Sequence, residues 1–114
     1  MIRTLFASLV LAFTAALATA HSQKQGTTPA DGATVAKVEE LAMRFDDPMR
    51  ISSVTLTSSG GAVALSRETG TDPAMEFRAV PVAPLAPGAY TLDWRGMASD
   101  GHPMQGSFSF TVAD

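Results

Sequence analysis

The sequence predicts an all-β domain, a β-sandwich or a small Greek-key barrel of six or seven short strands. Three observations carry that prediction. Short segments alternate apolar and polar residues with a period of two, as half-buried strands do. Proline and glycine recur between them, from Pro29 and Gly32 to Pro103 and Gly106, where turns are needed. From residue 21 onward, no stretch holds an apolar i, i+3, i+4, i+7 stripe long enough for a helix.

Residues 1–20 stand apart from this pattern. Arg3 supplies a positive start, and Leu5 to Leu17 is an uncharged apolar stretch. Ala18-Thr19-Ala20 then supplies the small-x-small pattern that signal peptidase reads. The apolar stretch is shorter than the about 20 residues a membrane span requires. We therefore expect a signal peptide over 1–20, cleaved after Ala20, and a single domain over 21–114. Ala16-Leu17-Ala18 offers a competing cleavage site two residues earlier.

Within 21–114, Leu41, Met43 and Phe45 share one face of the first clear strand. Asp46-Asp47-Pro48 follows as a turn, whose carboxylates face water. Val54 and Leu56 share a face of the next strand, and Val63 and Leu65 follow the Gly60-Gly61 turn. Tyr90, Leu92 and Trp94 alternate with Thr91 and Asp93, and Phe108, Phe110 and Val112 alternate with Ser107, Ser109 and Thr111. The aromatic residues Phe45, Phe77, Tyr90, Trp94, Phe108 and Phe110 are thus expected in the core and not on a binding platform. Met43 and Met75 are expected to pack with them, while Met49, Met97 and Met104 are left unassigned.

Composition narrows the chemistry. The 114 residues contain no cysteine, so cysteine-built zinc sites and thiol catalysis are excluded, and the core must hold without disulfides. The formal charge of −3 becomes −4 if Arg3 leaves with the signal peptide. The remaining cations are scattered, which argues against nucleic acid as a partner. No second hydrophobic segment follows residue 20, so no membrane span is expected after processing.

The two histidines, His21 and His102, carry what chemistry remains. Cleavage after Ala20 makes His21 the first residue, and its free amine and ring nitrogen can then close a chelate on one ion of Cu(II), Ni(II) or Zn(II). Ser99-Asp100-Gly101-His102-Pro103 forms a turn between the last two strands. Asp100 and His102, two residues apart, can present an oxygen and a nitrogen toward a common point. Together with His21 they make an N,N,N,O set, which suits tetragonal Cu(II). The same Asp-Gly turn and a solvated histidine equally describe an ordinary loop. The methionines are dispersed, which does not favour a soft thioether site for Cu(I). One carboxylate of Asp46-Asp47 can serve as a hydrogen-bonding partner to a metal-bound nitrogen.

The chain resembles the periplasmic copper-binding CopC/PcoC family. The likeness begins at His21 and runs through Thr28-Pro29-Ala30-Asp31-Gly32-Ala33 and Arg44-Phe45-Asp46-Asp47-Pro48. It continues in Leu85 to Trp94 and closes with Ser99-Asp100-Gly101-His102-Pro103-Met104-Gln105-Gly106-Ser107-Phe108-Ser109-Phe110-Thr111-Val112. The resemblance implies a seven-stranded, Ig-like Greek-key fold. It also implies one Cu(II) held by an N-terminal histidine brace, with Asp100 and His102 completing the site. Asp47 falls where the family usually has a glutamate near the copper, and is one methylene shorter. The start His21-Ser22-Gln23-Lys24-Gln25 departs from the family's His-Ala opening, and no methionine-rich loop is present. A periplasmic carrier or buffer handing copper to a CopD-type inner-membrane transporter is the function so implied, with no catalysis. Two other readings stand beside it. A metal-free Ig-like interaction module follows if cleavage falls after Ala18, which buries the His21 amine in a peptide bond. A copper-dependent oxidative enzyme would need an open ligand position and an extended substrate surface.

Overall fold

The computed structural model describes residues 24–114. It contains eight strands: β1 (Lys24–Thr28), β2 (Ala33–Val35), β3 (Leu41–Ser58), β4 (Gly61–Val63), β5 (Leu65–Arg67), β6 (Ala74–Pro81), β7 (Gly88–Ala98) and β8 (Pro103–Val112). Among the described residues there is no helix, and none long and apolar enough to cross a membrane. The strands form one curled sheet in the order β2-β8-β7-β3-β6-β5, with β1 and β4 also paired to β3. All pairs are antiparallel except β2 with β8. The expected all-β class and alternating faces are therefore found, with the extra strands being three-residue pieces.

The organising element is β3, whose 18 residues serve both halves of the sheet. Its first half pairs with β1 and β6, and its second half with β7 and β4. The register breaks between Arg44 and Met49, where the strand passes from one set of partners to the other. Asp46-Asp47-Pro48 sits in that break. The turn expected there is instead an irregular stretch inside one continuous strand, and Pro48 is tolerated because the ladder is interrupted.

A second irregularity shifts the phase of burial. Ile51 faces Gly96 and Ser53 faces Arg95, so β3 advances two residues while β7 advances one. An extra residue in a period-two strand turns every later side chain to the other face. Met49 and Ile51 are accordingly buried before the bulge and Leu56 after it.

All six expected core aromatics are buried. Phe45 meets Trp94 edge-on at 5.5 Å, and Tyr90 stacks on Phe110 at 5.4 Å, geometries favoured by the ring quadrupole. Met43 packs with them and Met49 joins the core, whereas Met75 does not. Met75 is 51% exposed, against expectation. It lies between Glu76, opposite Arg44, and Ala74, opposite Met49, so it faces the register break where β3 presents no regular inner surface.

Polar contacts fasten the two ends of the sheet. The Asp31 carboxylate accepts the Ser109 amide at 2.9 Å, and the Gly32 amide donates to the Ser109 carbonyl at 2.7 Å. The Asp31-Gly32 turn thereby sets β2 against β8. Arg67 donates to the Ile51 carbonyl at 2.8 Å while its guanidinium covers the Phe77 ring at 4.9 Å.

Candidate metal centre

The β7–β8 hairpin is long and regular, with ten facing pairs from Gly88↔Val112 to Met97↔Pro103. Its inward row, Tyr90, Leu92 and Trp94 on β7 with Phe108, Phe110 and Val112 on β8, anchors it in the core. The tip, Ser99 to His102, is therefore a short turn on a rigid base. The Gly101 amide donates to the Ala98 carbonyl and the Ala98 amide to the His102 carbonyl, both at 2.9 Å. Gly101 has φ +91°, a left-handed conformation that a Cβ disfavours.

This turn brings Asp100 and His102 together. Oδ1 of Asp100 accepts the His102 backbone amide at 3.1 Å, and Oδ2 lies 2.9 Å from His102 Nδ1. The hydrogen bonds from His102 hold the Asp100 carboxyl below its ordinary range. Both side chains are largely exposed, at 65% for Asp100 and 76% for His102. A pair so open to solvent contributes little to folding. Its effect is orientation: with the proton on Nδ1, the Nε2 lone pair is left free to bind a metal. Each oxygen of Asp100 retains a further lone pair.

Of the other candidates, Asp47 is exposed in the register break of β3. Among the described residues its side chain makes no hydrogen bond or ion pair. His21 lies outside the described residues. Among those described, no group of three or more His, Asp or Glu side chains is close enough to hold an ion together. The hairpin alone supplies two donors, fewer than the four of a tetragonal copper site.

The strand register nevertheless gathers these pieces at one end. Met49, just past Asp47 and Pro48, faces Ala98 at the base of the hairpin turn. Lys24, the first residue of β1, faces Phe45 just before Asp46. The chain thus enters the sheet beside the same break in β3. Sequence reasoning missed this convergence, because it depends on β3 being one strand with two sets of partners. It also treated Asp100 and His102 as parallel donors. The local signal for their mutual hydrogen bond was the Asp-Gly-His spacing, in which an aspartate side chain reaches the amide two residues on.

Comparison with known proteins agrees with this architecture. The family model for the CopC domain matches residues 24–113. Copper resistance protein C of Pseudomonas syringae pv. tomato is 33% identical over 119 aligned positions, covering 96% of this chain and 92% of that protein. Copper resistance protein C of Escherichia coli is 30% identical over 106 positions, covering 83% of each. Among solved structures, PcoC, a methionine-rich copper resistance protein from Escherichia coli, aligns with a TM-score of 0.67 at 30% identity, over 82% of this chain and 99% of that one. CopC from Methylosinus trichosporium OB3b aligns with a TM-score of 0.67 at 25% identity, over 82% and 94%.

Proposed function

The chain belongs to the CopC family, and from that premise we propose that it is an exported copper carrier that holds one Cu(II) ion. The donors are the His21 amine and ring, the His102 ring and an Asp100 oxygen, with Asp47 beside them as a hydrogen-bonding partner. The observation that carries this reading is the Asp100–His102 pair, held on a rigid hairpin at the end of the sheet where β1 begins. Three nitrogens and an anionic oxygen favour Cu(II). The anionic ligand also disfavours redox cycling, so the role is to hold and deliver the ion and not to catalyse. Localisation in the periplasm follows from the expected signal peptide, and a CopD-type inner-membrane transporter is the natural recipient.

The test is a Cu(II) titration followed by electron paramagnetic resonance, on the exported protein and on a variant with one extra residue ahead of His21. One tight equivalent with a nitrogen-rich tetragonal spectrum, weakened by the extension, is the expected result. Equal and weak binding by both forms would remove the His21 amine from the site.

A further inference from the structure

On the outer face of the sheet, at the start of β3, an unbroken chain of charged groups crosses three strands. Glu40 Oε2 lies 3.3 Å from Arg78 Nη1, and Arg78 Nη2 lies 3.3 Å from Glu76 Oε1. The second oxygen of Glu76 is 3.5 Å from Arg44 Nη1, and Arg44 Nη2 donates to the Thr28 hydroxyl at 3.1 Å. The register explains the alignment. Gly26, Arg44 and Glu76 face one another across β1, β3 and β6, and Thr28, Ala42 and Arg78 form the next row. Arg44 leans from the first row to the second to reach Thr28.

At its far end this chain of charges holds β1. That strand has five residues and a single neighbour, β3, and its pairing is irregular between Lys24 and Gly26. A short edge strand of this kind opens readily on its own. Among the described residues, the Arg44–Thr28 bond is the one side-chain hydrogen bond that ties β1 to another element. Glu76 and Arg78 keep the guanidinium from swinging toward solvent, since the Glu76 carboxylate is shared between the two arginines.

We propose that Arg44 is a positioning residue for copper: it clamps β1, and through it the N-terminal amine, over the Asp100–His102 pair. This inference rests on the reading of His21 as a ligand. A site whose third and fourth donors come from His21, three residues ahead of an edge strand, is competent only in the fraction of molecules in which that strand is docked. The apparent dissociation constant rises as that fraction falls. Partly exposed ion pairs and hydrogen bonds of this type correspond to about 2- to 5-fold in an equilibrium.

The experiment compares the exported parent protein with Arg44→Met, which keeps the aliphatic stem, Arg44→Lys, and Thr28→Val, which removes the acceptor. Amide hydrogen exchange is read at Gly26 to Thr28 in the metal-free protein, with Leu92 and Phe108 as internal references. We expect exchange about 2- to 5-fold faster and confined to β1, a Cu(II) dissociation constant raised by the factor by which the docked fraction falls and at most about 2- to 5-fold, an unchanged resonance spectrum, and intermediate values for Arg44→Lys. Unaltered copper affinity in a variant whose exchange shows that the docked fraction of β1 has fallen would overturn the inference. So would an affinity loss that came with equal loosening at Leu92 and Phe108, because the effect would then belong to the whole fold. If one added N-terminal residue leaves the parent's affinity untouched, the ligand reading itself fails and takes this inference with it.

Discussion

Replacing Gly96 by alanine tests the bulge that sets the phase of β3 and the base of the hairpin. Gly96 faces Ile51, one step before the extra residue of β3. A Cβ there would stand 2.5 Å from the Arg50 carbonyl oxygen and 3.3 Å from Ile51 Cδ1. The first contact is with backbone held in the β3–β7 ladder, so it cannot be relieved by turning a side chain. Overpacking of this sort costs about 1–3 kcal/mol. The smaller entropy of the unfolded chain with alanine offsets about 0.4–1 kcal/mol. The net loss of about 1–2 kcal/mol lowers Tm by about 5–15 °C in a domain of this size. Thermal unfolding of the metal-free protein, followed by circular dichroism, measures it. Gly70→Ala is the control, because its Cβ meets nothing within 4 Å. It should leave Tm unchanged or slightly higher. A Gly96→Ala variant melting within about 2 °C of the parent would refute the close approach and the bulge geometry built on it.

The Asp100 carboxyl should titrate below the ordinary aspartate range in the folded, metal-free protein, and His102→Ala should return it toward that range; a carbon-detected NMR titration reads both. The sign follows from the lowered folded value: any stabilisation is present above the unfolded pKa and disappears as pH falls through the folded one. Because the group is largely exposed, the readout is its chemical shift and not protein stability. Copper affinity should decline steadily as pH falls from about 8 to 5, since the α-amine and the imidazole rings must give up protons to bind. Asp100 stays ionised through that window and does not cause the decline. Competition titrations giving a flat profile would rule out amine and imidazole ligation.

Much of the fold was legible because burial and period-two alternation are the same constraint written twice. Tyr90-Leu92-Trp94 and Phe108-Phe110-Val112 had to be inner faces, since each offers an apolar row backed by Asp93 or by Ser107, Ser109 and Thr111. Asp46-Asp47-Pro48 misled because a proline after two carboxylates signals a turn wherever a strand is regular. Here the ladder is already broken as β3 exchanges partners, so the proline displaces no hydrogen bond. Met75 misled for the same reason, lying opposite that break and outside the core despite its inward phase.

The candidate site divides along the same line. Residue type and spacing alone picked out the candidate copper donors: a histidine that cleavage after Ala20 would place at the N-terminus, and an Asp-Gly-His turn between two strongly alternating strands. Local chemistry dictates those properties, because a donor atom or a left-handed glycine is a property of the residue and its nearest neighbours. Tertiary structure decided where they stand. That Ala98 lies across from Met49 and that β1 starts beside Phe45 both depend on strand registers between residues far apart in the chain. Those registers are set by the packing of the whole core and by the two irregularities of β3, and no local pattern encodes them.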